Sequence, residues 1–388
     1  MKKIYYIGYY SDPSENSNRK AAPAADTKMD YIINSMKKNG YEVIVLSFCV
    51  DDDRKVIFGK KTGFEIYKNG IKVIYFTNYT SKFRILRIIG RAISWIAIKQ
   101  YLRKHCLNNE CKIVIYHSLG LLKVLDWFDR MKKSYILEME EIYADVIGKK
   151  EIRKKELKAA NKASSYIFPT QLLNMEVNVS SKPFIIIHGT YLAEPDRECR
   201  IFSLNSKSEY DNIIHCVYAG TFDPRKGGAI AAAAAEFLPP NYHIHIIGFG
   251  SKNEVEKMKD YINEIAKKSK AKVTYDGLIT GEKYIKFIQS CDIGLSTQNP
   301  NAAFNATSFP SKILSYMSNG LRVVSIRIPA IETSAVGGYL YYYDKQTPVQ
   351  IAKAILSVDM NDKYDSREFI KKLSDNFEKE LAELLERC

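Results

Sequence analysis

The stretch SFPSKILSYMSNGLRVVSI, from Ser308 to Ile326, holds a helix start, a glycine turn and a buried type of strand in one continuous run. Pro310 suits the first turn of a helix, because its φ angle is already nearly helical and it has no N–H group. The pattern predicts a helix that begins beside Phe309 and ends at Gly320, followed by a strand over Val323–Ile326. A helix that leads through a tight turn into an apolar strand is typical of an α/β domain.

The start of this helix has the chemistry of an anion site. The free N–H groups of a first helical turn and the positive end of the helix dipole, about half an elementary charge, attract anions. Ser308, Ser311 and Lys312 add two hydroxyl groups and a full positive charge at this point. An ordinary capped helix in an α/β domain accounts for the same residues equally well.

A second segment, HCVYAGTFDPRKGGAIAAAAAEF from His215 to Phe237, repeats the arrangement. It predicts a strand over His215–Ala219, an alanine-rich helix, and between them a loop that contains Arg225, Lys226, Gly227 and Gly228. In open α/β sheets ligands collect outside the carboxyl ends of the strands, so both helix starts are expected to face one crevice. Gly248 and Gly250, after a strand over His243–Ile247, belong to the same rim, although a Gly-x-Gly alone is as typical of a tight turn.

The order of these motifs resembles that of family 4 of the glycosyltransferases, and the resemblance spans nearly the whole chain. YAGTFDPRKGG resembles the Gly-Arg to Lys-Gly loop of that family, HIIGFGS its Gly-x-Gly turn, VTYDGLIT and SCDIGLSTQ two of its strands, and FPSKILSYMSNGLRVVS its donor helix. The resemblance implies an α/β GT-B fold, in which two Rossmann-like doubly wound domains face a central cleft. It also implies a nucleotide-sugar donor held by the second domain.

The resemblance names a set of donor and diphosphate residues: Thr221, Arg225, Lys226, Gly227, Gly248, Gly250, Asn305, Thr307, Ser308, Ser311, Lys312 and Ser315. The chain departs from the family at three of them. The family's loop arginine is Thr221 here, and its two glutamates, which contact the donor sugar and the ribose, fall on Thr307 and Ser315. We interpret this as a divergent branch with substitute residues; the alternative is that donor binding has been lost. The substitutes would be Asn305, Thr307, Ser311 and Lys312.

Charge arithmetic favours a retained donor site. A nucleoside diphosphate carries about two to three negative charges, and charge-assisted hydrogen bonds contribute roughly 1.5 to 3 kcal/mol apiece. Lys226, Lys312, Arg225 and the two helix starts balance that charge without a metal ion or a cofactor. The donor is expected to be UDP-linked or GDP-linked. We interpret the acidic run at 51–53 as a solvated loop, because no downstream ligand pattern accompanies it.

Candidate catalytic residues follow predicted strands of the first domain. IVIYHSLG and YILEMEEIYADV match positions where the family carries polar residues, and they supply His117, Glu138, Glu140 and Glu141. If the reaction inverts the anomeric centre, one of these is the general base; the resemblance implies retention, in which the departing phosphate assists the acceptor hydroxyl. Arg19 and Lys20 are candidates for contacting an acceptor phosphate, with a polar loop as the alternative. The other histidines are interpreted as structural: His105, His188, His215, His243 and His245.

Length and composition predict two domains. The 388 residues, 46% of them hydrophobic, are divided into a first domain over 1–188, a linker over 189–211, a nucleotide-sugar domain over 212–345 and C-terminal helices over 346–388. By resemblance those helices pack back toward the first domain. Seven scattered cysteines indicate reduced thiols, and neither a cleavable signal nor an apolar run of transmembrane length is expected. These features predict a cytoplasmic enzyme.

The net charge of +14 has one conspicuous source, a predicted basic helix over 82–105. One face carries Arg84, Arg87, Arg91, Trp95 and Lys99, and another carries Ile85, Ile89, Ile93 and Ile96. Such a helix can lie in an anionic membrane interface, where each nearby basic residue adds roughly 1 kcal/mol. The alternative is a layer helix whose apolar face packs on the sheet. Nucleic acid is not expected as a partner, because no stacking motif or recognition helix accompanies the charge.

The sequence therefore predicts a metal-independent glycosyltransferase of the hexosyltransferase type. We expect it to move a sugar from a nucleoside-diphosphate sugar to a polysaccharide or a lipid-linked oligosaccharide, in the assembly of a cell-surface or capsular glycan. It would act in the cytoplasm or peripherally on the inner face of the membrane. Two alternatives stay open: a nucleotide-sugar epimerase or hydrolase with the same fold, and a non-catalytic partner subunit.

Overall fold

The computed structural model describes residues 2–11, 23–50, 55–107, 110–196, 213–361 and 364–387. The chain divides into an N-terminal unit, Met1–Thr190 with Asn376–Cys388, and a C-terminal unit, Tyr191–Asp375. The first boundary lies two residues beyond the predicted end of the first domain at 188. The predicted C-terminal segment 346–388 is shared between the units, and most of the predicted linker, 197–211, lies outside the described residues.

The N-terminal unit is built on a mostly parallel sheet with the order β10-β9-β8-β7-β1-β2-β5-β4. Its strands, together with the short antiparallel pair β3 and β6, are β1 Lys3–Gly8, β2 Glu42–Ser47, β3 Gly59–Lys61, β4 Phe64–Lys68, β5 Ile71–Tyr75, β6 Asn78–Thr80, β7 Cys111–Tyr116, β8 Ile136–Glu138, β9 Ser165–Phe168 and β10 Phe184–Ile186. The central strands are buried on both faces, as their continuous apolar runs predict.

Helices connect these strands, as a doubly wound unit requires. They are α1 Pro23–Lys38, α2 Arg84–Cys106, α3 Leu122–Arg130, α4 Tyr143–Val146, α5 Lys150–Ala160 and α6 Gln171–Val177. An Asn-Gly pair between two apolar runs predicts a hairpin turn, and the structure confirms it at Asn69 and Gly70. The flanking strands β4 and β5 are antiparallel, and the two residues have φ angles of 50° and 72°. The segment YILEMEEIYADV forms the strand β8, in which Glu138 is the last residue and pairs with Tyr116.

The C-terminal unit has a fully parallel sheet with the order β13-β12-β11-β14-β15-β16. Its strands are β11 Ile214–Thr221, β12 Tyr242–Phe249, β13 Lys272–Gly277, β14 Ile293–Ser296, β15 Arg322–Ile326 and β16 Tyr341–Tyr343. The order doubles back at β11, with β12 on one side and β14 on the other. That reversal is the position at which open α/β sheets bind ligands.

The helices that follow are α7 Gly228–Ala233, α8 Lys252–Lys268, α9 Gly281–Gln289, α10 Lys312–Ser318, α11 Pro329–Glu332, α12 Pro348–Leu356 and α13 Arg367–Arg387. The predicted start of the donor helix was wrong by three residues. Its cap is Ser311 and its first helical residue is Lys312, so Pro310 precedes the helix and is not in its first turn. The alanine-rich helix α7 also gives way to a 3-10 turn at Ala234.

Candidate donor site

The loop that follows β11 is held by Tyr218 and Gly227. The Tyr218 hydroxyl donates toward the carbonyls of Thr221 and Lys226, at 3.0 and 3.1 Å, which joins the two ends of the loop. Gly227 has a φ angle of 80°, and a Cβ atom there would lie 1.8 Å from the Thr297 carbonyl oxygen. Glycine is therefore required, and it lets the Thr297 hydroxyl donate to the Gly227 carbonyl at 2.7 Å.

The two cations of this loop have different surroundings. The exposed Arg225 guanidinium forms a paired ion bridge with Asp223, at 2.7 to 3.1 Å, and holds the pKa of that carboxyl below its usual range. Lys226 is half-buried, and its charge acts on Lys312. Lys226 is thus the loop cation that shares its surroundings with Lys312, at the start of α10.

Lys312, the first residue of α10, has a buried amino group. Its Nζ atom finds no hydrogen-bond partner among the described residues and lies 3.9 Å from the centroid of the Tyr218 ring. Burial, followed by the charge of Lys226, lowers its pKa from 10.5 to about 7. An unpaired buried ammonium is costly, so this position favours an anionic partner.

Tyr316 fixes α10 against the ends of two strands. Its hydroxyl accepts the Ala219 N–H at 2.8 Å and donates to the Leu295 carbonyl at 3.3 Å, which joins the helix to β11 and β14. Gly294 provides the room, because a Cβ atom there would lie 2.3 Å from the Tyr316 ring. Lys312, one turn earlier on the same helix, is positioned by these contacts.

The substitute residues for the missing glutamates have defined places. Ser315 forms a hydrogen bond of 3.0 Å with the Tyr284 hydroxyl. The amide of the buried Asn305 donates to the Asn299 carbonyl, and the Asn299 N–H in turn donates to Arg225 at 2.8 Å. The segment before α10 is therefore attached to the loop after β11. The other members of this group are Thr307 and Ser308, both half-buried, and Ser311, which is exposed.

In the predicted Gly-x-Gly turn, Gly248 packs against the backbone of β11. Gly248, in β12, has a φ angle of 147°, and a Cβ atom there would lie 1.7 Å from the Gly220 carbonyl oxygen of β11. Gly250 leads to Ser251, which caps α8 through reciprocal hydrogen bonds with Glu254. These glycines have a backbone role, and the structure brings their turn to the same sheet edge as Thr221.

In the N-terminal unit, the predicted catalytic residue Glu138 is buried beside Tyr6. It is fully buried at the end of β8, accepts a hydrogen bond from Tyr6, and its Oε1 has no partner among the described residues. Burial, then the charge of Glu140, raises the pKa of Glu138 to about 8. The carboxyl is therefore mostly protonated at neutral pH and fits a proton donor better than a base.

Two other predicted catalytic residues, His117 and Glu140, are engaged in separate contacts. Nε2 of His117 lies 2.7 Å from Glu156, which also accepts the backbone N–H groups of Tyr143 and Ala144. Glu140 pairs with the buried amine of Lys28 at 2.6 and 2.7 Å. Glu141 is half-buried beside these residues in sequence. Arg19 and Lys20 lie outside the described residues.

Sequence reasoning did not select several residues that the structure brings into these contacts. They are Tyr6, Lys28, Glu156, Tyr218 and Tyr316. The sequence signals for these residues were weak. A tyrosine in an apolar strand or helix is typical of a core residue, and Glu156 lies in the charge-rich stretch KEIRKKELK. Their polar atoms come close to candidate residues only because the fold brings distant segments together.

The exposed face of α2 is a further candidate surface. The helix packs through Gly90, Ser94, Ile98, Leu102 and Cys106. Its isoleucines Ile85, Ile88, Ile89, Ile93 and Ile96 are 44% to 72% exposed. The alternative of a layer helix whose isoleucine face packs on the sheet is therefore wrong for the described residues. None of the helices in the described part of the chain is long and apolar enough to cross a bilayer.

Comparison with known proteins places these observations in a family context. Residues 214–360 match the model of the family described as Glycosyl transferases group 1. A sucrose-phosphate synthase from Thermosynechococcus elongatus is similar in structure, with a TM-score of 0.65, 15% identity and coverage of 99% of this chain and 95% of that one. Anabaena HepE in complex with UDP has a TM-score of 0.66 and 14% identity, with full coverage of both chains. No curated protein sequence matches this chain.

A third similar structure is the α,α-trehalose 6-phosphate synthase from Burkholderia multivorans, with a TM-score of 0.64, 10% identity and coverage of 99% of this chain and 95% of that one. These likenesses show the fold, so the predicted α/β GT-B class is confirmed. The family match covers the segment that contains every candidate donor residue. Residues 214–360 match a glycosyltransferase domain, and the predicted glycosyltransferase class is confirmed.

Proposed function

We propose that this chain is a divergent, retaining family 4 glycosyltransferase that needs no metal for transfer. Its donor is a nucleoside-diphosphate sugar with UDP or GDP, and its acceptor is a polysaccharide or a lipid-linked oligosaccharide of the cell surface. The carrying observation is the buried Lys312 amine. It lies beside Lys226 with no hydrogen-bond acceptor among the described residues and with a pKa lowered to about 7.

A diphosphate would give the Lys312 amine an anionic partner. Two neighbouring cations repel each other in the ligand-free protein, and two phosphate groups between them would turn that repulsion into attraction. Anion binding would also return the pKa of Lys312 toward its ordinary value, because an opposite charge favours the ammonium form. HepE, which shares the fold, is described as a complex with UDP, and this supports UDP as the first ligand to test.

The proposed transfer conserves atoms and charge. The bond between the anomeric carbon and the diphosphate oxygen breaks, and a bond from that carbon to the acceptor oxygen forms on the same face. The acceptor proton passes to a phosphate oxygen of the leaving group. Lys226 and Lys312 stabilise the negative charge that develops on the diphosphate, which is the contribution a metal ion makes elsewhere. We assign donor-sugar contacts to Asn305, Thr307 and Ser315 in place of the family's glutamates.

The decisive experiment measures the affinity for UDP and the number of protons taken up on binding. At pH 8 the ligand-free Lys312 is mostly neutral, so UDP binding should take up close to one proton per molecule. Isothermal titration in two buffers with different ionisation enthalpies measures that uptake. Lys312→Met and Lys226→Ala should each weaken binding at least tenfold, since a charge-assisted contact contributes roughly 1.5 to 3 kcal/mol. Lys259→Met, an exposed lysine over Tyr275 in the same unit, is the matched control.

The outcomes separate the alternatives. Binding of UDP or GDP with proton uptake, and sugar transfer from the matching donor to an oligosaccharide, supports the proposal. Conversion or hydrolysis of the nucleotide sugar without an acceptor indicates an epimerase or hydrolase. Failure of every nucleoside diphosphate to bind at millimolar concentration indicates a non-catalytic subunit. Unchanged affinity in the Lys226→Ala, Lys312→Met double variant rejects the diphosphate assignment.

We further propose that α2 holds the enzyme peripherally on the cytoplasmic face of an anionic membrane. Arg84 and Arg91 lie on the same helix as the exposed isoleucines. Phe83, which precedes the helix, and Ile57, whose carbonyl accepts a hydrogen bond from Ser81, are 51% and 64% exposed. Apolar residues beside arginines match the interface of an anionic bilayer. A lipid-linked acceptor would be presented at that surface.

Vesicle flotation tests this surface directly. The protein should float with vesicles that contain phosphatidylglycerol and remain behind with neutral phosphatidylcholine vesicles. Ile89→Gln with Ile96→Gln should abolish flotation, and Arg84→Gln with Arg91→Gln should weaken it about tenfold or more, because each charge adds roughly 1 kcal/mol. Val179→Gln, at an exposed apolar position of the same unit, is the control. Equal flotation of the isoleucine variant would contradict the proposal.

A further inference from the structure

Three buried histidines share one face of the C-terminal sheet, far from the candidate donor residues. His215 is the second residue of β11, and His243 and His245 are the second and fourth residues of β12. The parallel register pairs His215 with His243, and alternation along β12 puts His245 on the same face. We call these three residues the histidine cluster. It lies at the amino ends of the strands, six residues or about 20 Å along β11 from Thr221.

The imidazole nitrogens of the cluster converge. Nδ1 of His215 lies 2.9 Å from Nε2 of His245, and one nitrogen from each of the three residues lies within 4.8 Å of the others. In a tetrahedral zinc site with Zn–N bonds of about 2.0 to 2.1 Å, the ligand nitrogens are about 3.3 to 3.4 Å apart. The shortest spacing, 2.9 Å, lies below that value and none exceeds 4.8 Å, so small rotations of the rings reach it. The three residues are 1% to 8% exposed.

An outer carboxylate orients one of these rings. Asp276, on β13, has its Oδ2 atom 3.1 Å from Nδ1 of His245 and also accepts the Thr274 hydroxyl at 2.8 Å. A carboxylate that accepts from Nδ1–H leaves the Nε2 lone pair directed into the cluster. The Thr274 hydroxyl oxygen lies 2.9 Å from Nε2 of His243. Aspartate behind an imidazole is the usual support of a zinc-bound histidine.

An aromatic ring covers the histidine cluster on one side. Phe287 of α9 packs edge-on against His245, with ring centroids 5.3 Å apart.

We infer that the histidine cluster is a structural site for a divalent transition-metal ion, of which zinc fits best, and that the ion joins β11 to β12. Three imidazole ligands suit zinc, with water in the fourth position. The ion belongs to the amino ends of the strands, whereas the donor residues lie at the carboxyl ends, so it stabilises the unit and takes no part in sugar transfer. The competing explanation is a metal-free chain of hydrogen bonds from Asp276 through His245 to His215.

The test uses the full-length protein after treatment with a chelator. Cobalt(II) replaces zinc as a spectroscopic probe, since tetrahedral cobalt absorbs in the visible range. We expect one zinc or cobalt per chain, visible absorption without a strong thiolate band in the near ultraviolet, and a rise in Tm of about 5 to 10 °C at a hundredfold excess of zinc over its Kd. His215→Gln and His245→Gln should lose the bound metal and the Tm rise.

Two further variants keep the inference falsifiable if the histidine variants fold poorly. Asp276→Asn changes only the outer partner and should weaken zinc binding 10-fold to 100-fold. His188→Gln is the matched control, because His188 is a buried histidine of the N-terminal unit bonded to the Pro169 carbonyl, and it should bind zinc as wild type does. No metal on the wild-type protein, a thiolate spectrum, or equal binding in all histidine variants overturns the inference.

Discussion

Replacing Lys312 with methionine should stabilise the ligand-free protein while it weakens nucleotide binding at least tenfold. Burial and Lys226 lower the pKa of Lys312 from 10.5 to about 7. At about 1.4 kcal/mol per pH unit, that difference corresponds to roughly 5 kcal/mol of cost for the charged side chain. Methionine removes the charge but also loses the cation–π contact with Tyr218, which contributes up to about 2 kcal/mol. We expect a net gain of about 3 kcal/mol in the free energy of unfolding near pH 6.

The pH dependence of this gain has a defined sign. Below pH 7 the folded protein carries the charge on Lys312, and the full cost is present. Between pH 7 and 10.5 the unfolded protein binds more protons than the folded protein, so wild-type stability rises with pH. The advantage of Lys312→Met should therefore shrink by about 2 to 3 kcal/mol between pH 6 and pH 9.

Scanning calorimetry is the suitable assay for Lys312→Met. Both tryptophans, Trp95 and Trp127, belong to the N-terminal unit, so their fluorescence does not report the unit that carries Lys312. Lys259→Met should change stability by less than about 0.5 kcal/mol and leave UDP binding intact, as expected of an exposed site. A Lys312→Met variant that is no more stable than wild type at pH 6, or that binds UDP as tightly as wild type does, would refute the reasoning.

Three further predictions concern single contacts. Gly227→Ala should destabilise the C-terminal unit by several kcal/mol in calorimetry, since its Cβ would lie 1.8 Å from a carbonyl oxygen, whereas Gly277→Ala, with a similar φ and open space, should lose only about 1 kcal/mol. Tyr316→Phe removes the partner of the half-buried Ala219 N–H of β11 and should lower the free energy of unfolding by about 1 to 3 kcal/mol; an unchanged Tm would contradict this. Because the pKa of Glu138 is raised to about 8, the free energy of unfolding should fall as pH rises from 4.5 to 8. Glu138→Gln should therefore have a larger free energy of unfolding than wild type at pH 9, measured by tryptophan-monitored urea unfolding. Parallel profiles of this free energy against pH for the two proteins would contradict the prediction.

Local patterns were sufficient for most of the fold. Continuous apolar runs predicted the parallel strands, and Asn69-Gly70 predicted the hairpin between β4 and β5. These patterns work because backbone dihedrals and strand burial depend on neighbouring residues. Helix starts were less predictable: Pro310 was expected inside α10, but the helix begins at Lys312, where Tyr316 fixes its position against β11 and β14.

The candidate donor residues were named from motif order, and their role in binding a diphosphate stays a prediction. Arg225 and Lys226 are adjacent, and the sequence gives no reason to assign them different roles. The structure distinguishes them, because Arg225 pairs with Asp223 while the charge of Lys226 acts on Lys312. The sequence analysis also interpreted the histidines of β11 and β12 as structural. The His-x-His pattern of β12, which puts two imidazoles on one face of a strand, was the signal available for a cluster.

By itself, the amino-acid sequence determined the two α/β units, the glycine turns and the position of the cationic loop along the chain, because these depend on local conformation and apolar periodicity. Tertiary structure decided which polar groups lack a partner. The burial of the Lys312 amine against Tyr218, the convergence of three histidines and the exposure of the α2 isoleucines each depend on segments distant in the chain. Desolvation and Coulomb interactions act through space, and no spacing in the sequence encodes them.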